Sequence, residues 1–239
     1  MILFFFLSPV ILSFLILLFR NRIATIILSL SFSAILIGFT FYGWMNEGQT
    51  EMRYFTFDSA GVLLLSVLAL LSVPTFYHGY IYTKNDSEKR RDMYHIAMIL
   101  LMTFMAGAYL ANGMTILWIF VEATTLAVAV LIYHDRTEAA LEAAWKYVFI
   151  CSTGIALAYL GILFLGFIYG RGDASNLSFD TLSAILTQVN PLYLRIAFIF
   201  VLVGFSTKMG LFPMHTVTID AHSVSPPPVS ALISTTLMN

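Results

Sequence analysis

Charge and cysteine are what this 239-residue sequence has least of. Only 10% of its residues are Asp, Glu, Lys or Arg, where a soluble domain carries roughly a quarter. That scarcity excludes a soluble globular domain and a disordered chain. The 12 basic residues are balanced by 13 acidic ones, for a formal net charge of -1, and no basic run offers a nucleic-acid surface. One cysteine, Cys151, excludes a disulfide framework and a cysteine zinc cluster. There is no Gly-rich phosphate loop, nucleophile elbow, or haem or iron–sulfur cysteine pattern, so no cofactor is expected.

What fills the chain is apolar: 59% of it is hydrophobic, with a mean hydropathy of +0.88. An all-α membrane helix bundle is the expected fold. Seven apolar runs, at about 2–19, 23–45, 60–82, 93–111, 114–134, 140–169 and 192–212, are long enough to cross a bilayer. They are continuous rather than alternating, which argues against a barrel, and only helices otherwise satisfy their backbone in lipid. Met1-Ile2-Leu3-Phe4 carries no positive n-region or cleavage site, so the first run is expected to be a retained span.

Loops after the first, third and fifth spans hold Arg20, Arg22, Lys84, Lys89, Arg90, Arg91 and Arg136, against Arg53, Arg171 and Arg195 on the other side. The bias predicts a cytoplasmic face for the first set, in the cell inner (plasma) membrane, with the N-terminus outside. Ala111-Asn112-Gly113 suits a tight helical hairpin. Pro213 and Pro226-Pro227-Pro228 predict that the seventh helix breaks near 213, unwinds, and restarts near 226. The restarted apolar stretch reaches Asn239 without a polar tail, which is expected of a fragment.

All but four of the charged residues lie in loops or at helix ends. The four are Glu122, Lys146, Lys208 and Asp220. Charges at the bilayer centre cost at least about 2.5–3.5 kcal/mol and face the protein interior, often on an ion path. Glu122 lies about nine residues into the fifth span, roughly 13 Å along it. It suits a carboxylate that gains and loses a proton, or a hydrogen-bonded neutral acid. Lys208, near the break, suits a proton carrier or a structural counter-ion for Glu122. The two are expected to face each other, in direct contact or through one water. Lys146 follows Glu142 at the i,i+4 spacing of an ordinary surface pair. His215, Asp220 and His222 fall in the segment expected to be unwound, which suits a hydrated proton path; no cysteine or glutamate stands nearby to complete a metal site. His78, His95 and His134 are expected at the interface. Arg171-Gly172-Asp173 is read as a short polar loop.

Three stretches carry a resemblance: Val121-Glu122-Ala123-Thr124-Thr125, then Ala143-Ala144-Trp145-Lys146-Tyr147, then Lys208 ahead of Phe212-Pro213-Met214-His215, Asp220-Ala221-His222-Ser223 and Pro228-Val229-Ser230-Ala231-Leu232. In this order they resemble the antiporter-like subunits of respiratory complex I, multisubunit cation/proton antiporters and membrane-bound hydrogenases, most of all the hydrogenase-4 or formate-hydrogenlyase type. The family usually has Trp-Leu-Pro where Val217-Thr218-Ile219 stands here.

The resemblance implies an inverted-repeat fold, with residues 1–90 as flanking helices and 91–239 as an incomplete first repeat. It implies proton translocation through Glu122 and Lys208, within a complex whose other membrane and peripheral subunits do the redox chemistry. Two other readings stay open: a sodium/proton antiporter subunit, and a non-transporting anchor for a redox arm.

Overall fold

The computed structural model describes residues 1–168, 177–185, 190–211 and 215–237. Seven helices in it are long and apolar enough to cross a membrane. In chain order they are α1 (Ile2–Phe19), α2 (Arg22–Met45), α3 (Ser59–Tyr82), α4 (Glu88–Tyr109), α5 (Met114–Ile132), α6 (Glu138–Ile168) and α8 (Pro191–Met209). The short α7 spans Phe179–Ile185, and α9 (Thr216–Val224) and α10 (Pro227–Leu232) follow. These bounds agree with the expected spans to within a residue or two except in α4, which starts more than a turn before residue 93, and in α8, which ends at Met209 rather than 212. The chain is a polytopic membrane protein.

Local chemistry sets the ends. Asn21 caps α2 by accepting from the Ile23 N–H at 3.0 Å. Asn190 does the same for α8 through Leu192, with Pro191 at the first helical position. α8 stops at Gly210, whose φ of 66° is left-handed backbone that glycine adopts without a Cβ clash. The break therefore starts before Pro213, which lies outside the described residues, as do Arg171-Gly172-Asp173 and Asn239. The stretch expected to be unwound instead contains α9, because residues 216–224 hold no proline or glycine to interrupt a helix. Ser225 is extended ahead of Pro226, and α10 restarts on Pro227 and Pro228. A π-turn, Ile233–Leu237, completes it.

Successive loops gather at opposite ends of the bundle. At one end the Arg22 guanidinium reaches the Tyr80 carbonyl, and Arg90 bridges Asp86 at 2.5 Å and Asp135 at 3.9 Å. At the other, sequence periodicity gave no hint of a small two-stranded hairpin, β1 (Thr50–Glu51) against β2 (Phe55–Thr56). Phe55 also bridges to Ala111, and Gly113 to Ser178, so the hairpin, the α4–α5 turn and the start of α7 are stitched through their backbones. Core packing is aromatic between α1 and α2, where the Phe5 and Phe39 rings stack at 4.2 Å.

Candidate proton-transfer site

The site is built where α5, α6 and α8 meet. α6 and α8 touch closely because Gly154 and Gly204 lie at their crossing. A Cβ on Gly204 would run into the Ala158 backbone, and one on Gly154 into Thr207. This approach carries Lys208, one turn beyond Gly204, to the inner face of α6, where it is only 7% exposed.

The Lys208 ammonium donates to Thr125 Oγ1 at 2.9 Å and to the Tyr147 hydroxyl at 2.8 Å. Both partners are neutral. Glu122, half-buried one turn before Thr125 on α5, accepts instead from Ser152 Oγ of α6 at 2.7 Å, and its second oxygen, Oε2, is buried without a partner. Of the two expected arrangements, direct contact or one bridging water, the direct one is not what the structure shows: no ion pair within 4.0 Å joins Glu122 and Lys208. Hydroxyls from α5 and α6 stand in its place because Thr125, not Glu122, occupies the α5 turn level with Lys208. A cavity of about 110 Å³ lies against Lys208, lined also by Thr124, Tyr109 and Thr236, with room for several waters. Tyr109 donates to the Thr236 carbonyl at its far wall.

The other candidate residues sit elsewhere. Lys146 bridges Glu142 at 2.7 Å and Asp220 of α9 at 3.4 Å, both half-exposed contacts. His222 Nδ1 pairs with Ser230 Oγ at 2.7 Å, tying α9 to α10. His215 stands at the N-terminus of α9, where its carbonyl accepts from Thr218 and Ile219. None of these bonds reaches Lys208.

The neutral hydroxyls of Thr125, Tyr147 and Ser152 were not foreseen; the available signal was Thr125, three residues after Glu122 and so on one helix face. Two histidines expected at the interface are buried: His95 is fully enclosed, and His134 is 6% exposed and pairs with Asp86 at 2.8 Å. Because α4 starts early, Arg91 and Asp92 are also inside it, at 5% and 1% exposure, rather than in a loop.

The described residues thus form a helical membrane bundle with seven candidate spans, in which the helix that carries the buried Lys208 ends at Gly210 and helical structure resumes at Thr216. The chain belongs to the family described as NADH:quinone oxidoreductase/Mrp antiporter, TM, which residues 111–239 match. It is 36% identical over 151 residues to the hydrogenase-4 component F homolog of Methylacidiphilum infernorum (isolate V4), covering 61% of this chain and 31% of that protein. It is 30% identical over 197 residues to NADH-quinone oxidoreductase subunit N 2 of Aquifex aeolicus (strain VF5), covering 80% and 38%. Its fold matches a chain of the membrane-bound sulfane sulfur reductase, an archaeal respiratory membrane complex, with a TM-score of 0.84 at 18% identity, over 100% of this chain and 50% of that one. The chain thus spans 31% to 50% of the length of these three proteins.

Proposed function

We propose that this chain is the proton-translocating part of a membrane subunit in a complex I-like or hydrogenase-type oxidoreductase. The observation that carries the reading is Lys208: a buried ammonium bonded to neutral hydroxyls, beside a cavity, with an incompletely bonded carboxylate on the neighbouring helix. A buried cation held by formal charges is a fixed counter-ion. One held by hydroxyls can be stabilised further when a carboxylate approaches.

In this reading Lys208 carries the proton and Glu122 modulates it. Bringing the two charges to 4 Å at an effective dielectric near 20 changes the energy by about 4 kcal/mol at most. Thr125 and Ser152 hold the open arrangement, and the cavity toward Tyr109 and Thr236 takes the released proton onto water. Redox chemistry belongs to partner subunits, as the multisubunit neighbours suggest. Residues 1–90 serve as flanking helices and 91–239 as part of a first repeat. The basic end faces the cytoplasm, by the loop-charge bias, which leaves the N-terminus outside the inner membrane.

The test is proton transfer by the assembled complex in sealed vesicles. Glu122→Gln keeps shape and removes the titratable charge; Lys208→Met removes the carrier. Both lower the pH gradient formed per redox turnover. A wild-type gradient in either variant overturns the role of that residue. Repeating the assay without sodium separates proton pumping from sodium/proton exchange.

A further inference from the structure

The cavity beside Lys208 has a direction. On α5 its wall is Thr124, Val121 and Leu117, spaced three and four residues apart on one helix face. They run roughly 10 Å along the helix, away from the level of Lys208 and toward the α4–α5 turn, to which the β1–β2 hairpin is bonded. The opposite wall, Ala108 and Tyr109, belongs to the last turn of α4 at that same end. The other way along the α5 face stand Val128, Leu131 and Ile132, all apolar and fully buried. The cavity thus leads from Lys208 toward the hairpin end of the bundle, with packed apolar side chains on the way to the basic end.

Its polar groups are oriented as well. The Lys208 ammonium has three hydrogens and gives two of them to Thr125 and Tyr147, which leaves one for water in the cavity. The hydroxyls along the walls have theirs committed to protein. Thr124 donates to the Val121 carbonyl at 2.6 Å, Thr236 to the Leu232 carbonyl at 2.7 Å, and Tyr109 to the Thr236 carbonyl. Each hydroxyl then offers the cavity a lone pair. Waters between a donor at one end and acceptors at the other point their hydrogens away from Lys208, the polarity that carries a proton outward from it.

Tyr109 stands at the far end of this cavity. Its hydroxyl ties the last residue of α4 to the π-turn Ile233–Leu237. Its backbone is held in place: α3 packs so closely that a Cβ on Gly61 would strike the Tyr109 carbonyl, and the Thr56 N–H donates to the next carbonyl, that of Leu110, at 2.9 Å. A ring on a fixed backbone, tied across by one hydrogen bond, can swing by side-chain rotation without moving either helix. We propose that Tyr109 gates the cavity. With its bond to Thr236 made, the cavity is closed at the hairpin end. With that bond broken, a proton passed from Lys208 to cavity water leaves there, on the side that the loop charges mark as external, and Lys208 is left as the neutral amine. The proposal rests on Lys208 as the proton carrier; Tyr109 is a positioning residue and takes no proton itself.

The test is the sidedness of access to the cavity, read as the reaction of silver ions with a cysteine placed in its wall, in the assembled complex in sealed vesicles. Val121→Cys puts the thiol one turn before Thr125; wild type, with Cys151 buried, is the blank. Gln49→Cys beside the hairpin and Lys89→Cys at the basic end, both exposed positions, report which side the silver reaches. Val121→Cys is expected to react faster with silver supplied at the hairpin end. Adding Tyr109→Phe should speed that reaction by up to about tenfold, the scale of one lost hydrogen bond, and leave the reaction from the basic end unchanged. Equal or faster reaction from the basic end overturns the direction. A Tyr109→Phe change that alters nothing, or speeds both sides alike as a general loosening would, overturns the gate. Leu117→Cys gives the same reading if Val121→Cys does not assemble. No proton transfer is needed for it, so an inert Lys208 and a false gate are told apart.

Discussion

Two regions of this bundle bury cations and solve the problem differently. Among α2–α4, Arg91 is matched by a full opposite charge, Asp92, at 3.1 Å. Between α5, α6 and α8, Lys208 has only the hydroxyls of Thr125 and Tyr147, and Glu122 is bonded away to Ser152. A charge-matched pair resists change, since removing either member strands the other. A hydroxyl cradle solvates an ammonium without fixing its counter-charge, which leaves room for a carboxylate to come and go. The first arrangement suits anchoring, and the second suits transfer.

The largest effect expected from breaking this contrast is functional. Lys208→Met should lower coupled proton transfer by about 100-fold or more, the scale of losing a positioned proton donor, read as the vesicle pH gradient per turnover. Next comes stability at the charge-matched cluster. Arg91→Ala leaves Asp92 uncompensated and should cost about 3–5 kcal/mol, measured as thermal unfolding in detergent. Adding Asp92→Asn should recover part of that loss, and a strictly additive double variant would show that the two do not act as a pair.

Thr125→Val should have a smaller effect than either. It withdraws one oxygen from the buried ammonium, worth about 1–3 kcal/mol, so proton transfer should slow by about tenfold while the bundle still assembles. Equal rates in Thr125→Val and wild type would mean that the cradle is packing alone.

The smallest expected effect lies outside the membrane spans, at Glu51. Burial alone would raise its carboxyl, but the Tyr42 hydroxyl, the Ile2 N–H and the terminal ammonium outweigh that and hold it below its ordinary value. A carboxylate held low adds stability above its unfolded value and loses it as the pH falls. Wild type should therefore exceed Glu51→Gln in melting temperature near neutrality, by less than about 1 kcal/mol equivalent for so exposed a contact. The gap should close in acid. A gap that widens on acidification would reverse the assignment.

How much of this was legible in the residues differs by element. The spans were, because crossing a bilayer demands some 20 apolar residues in a row, and the restart on Pro227 and Pro228 follows from local backbone chemistry. The end of α8 was misplaced by a few residues: Gly210 ends it, yet Pro213 is the louder signal. The early start of α4 was hidden because Glu88, Lys89, Arg90, Arg91 and Asp92 read as a loop until packing shows two of them enclosed.

The sequence by itself determined that the chain lives in a membrane, which segments are long and apolar enough to cross it, and that Glu122 and Lys208 are exceptional, because each is a statement about the cost of polarity in lipid along one segment. Only the tertiary structure decided what those charges touch. Partners such as Thr125, Tyr147 and Ser152, or Ser29 for His95, come from different helices, and their hydroxyls carry no signature along the chain. Whether a buried charge meets an opposite charge or a neutral oxygen depends on the rotation and approach of neighbouring helices, which the glycines at the α6–α8 crossing set across dozens of residues of separation.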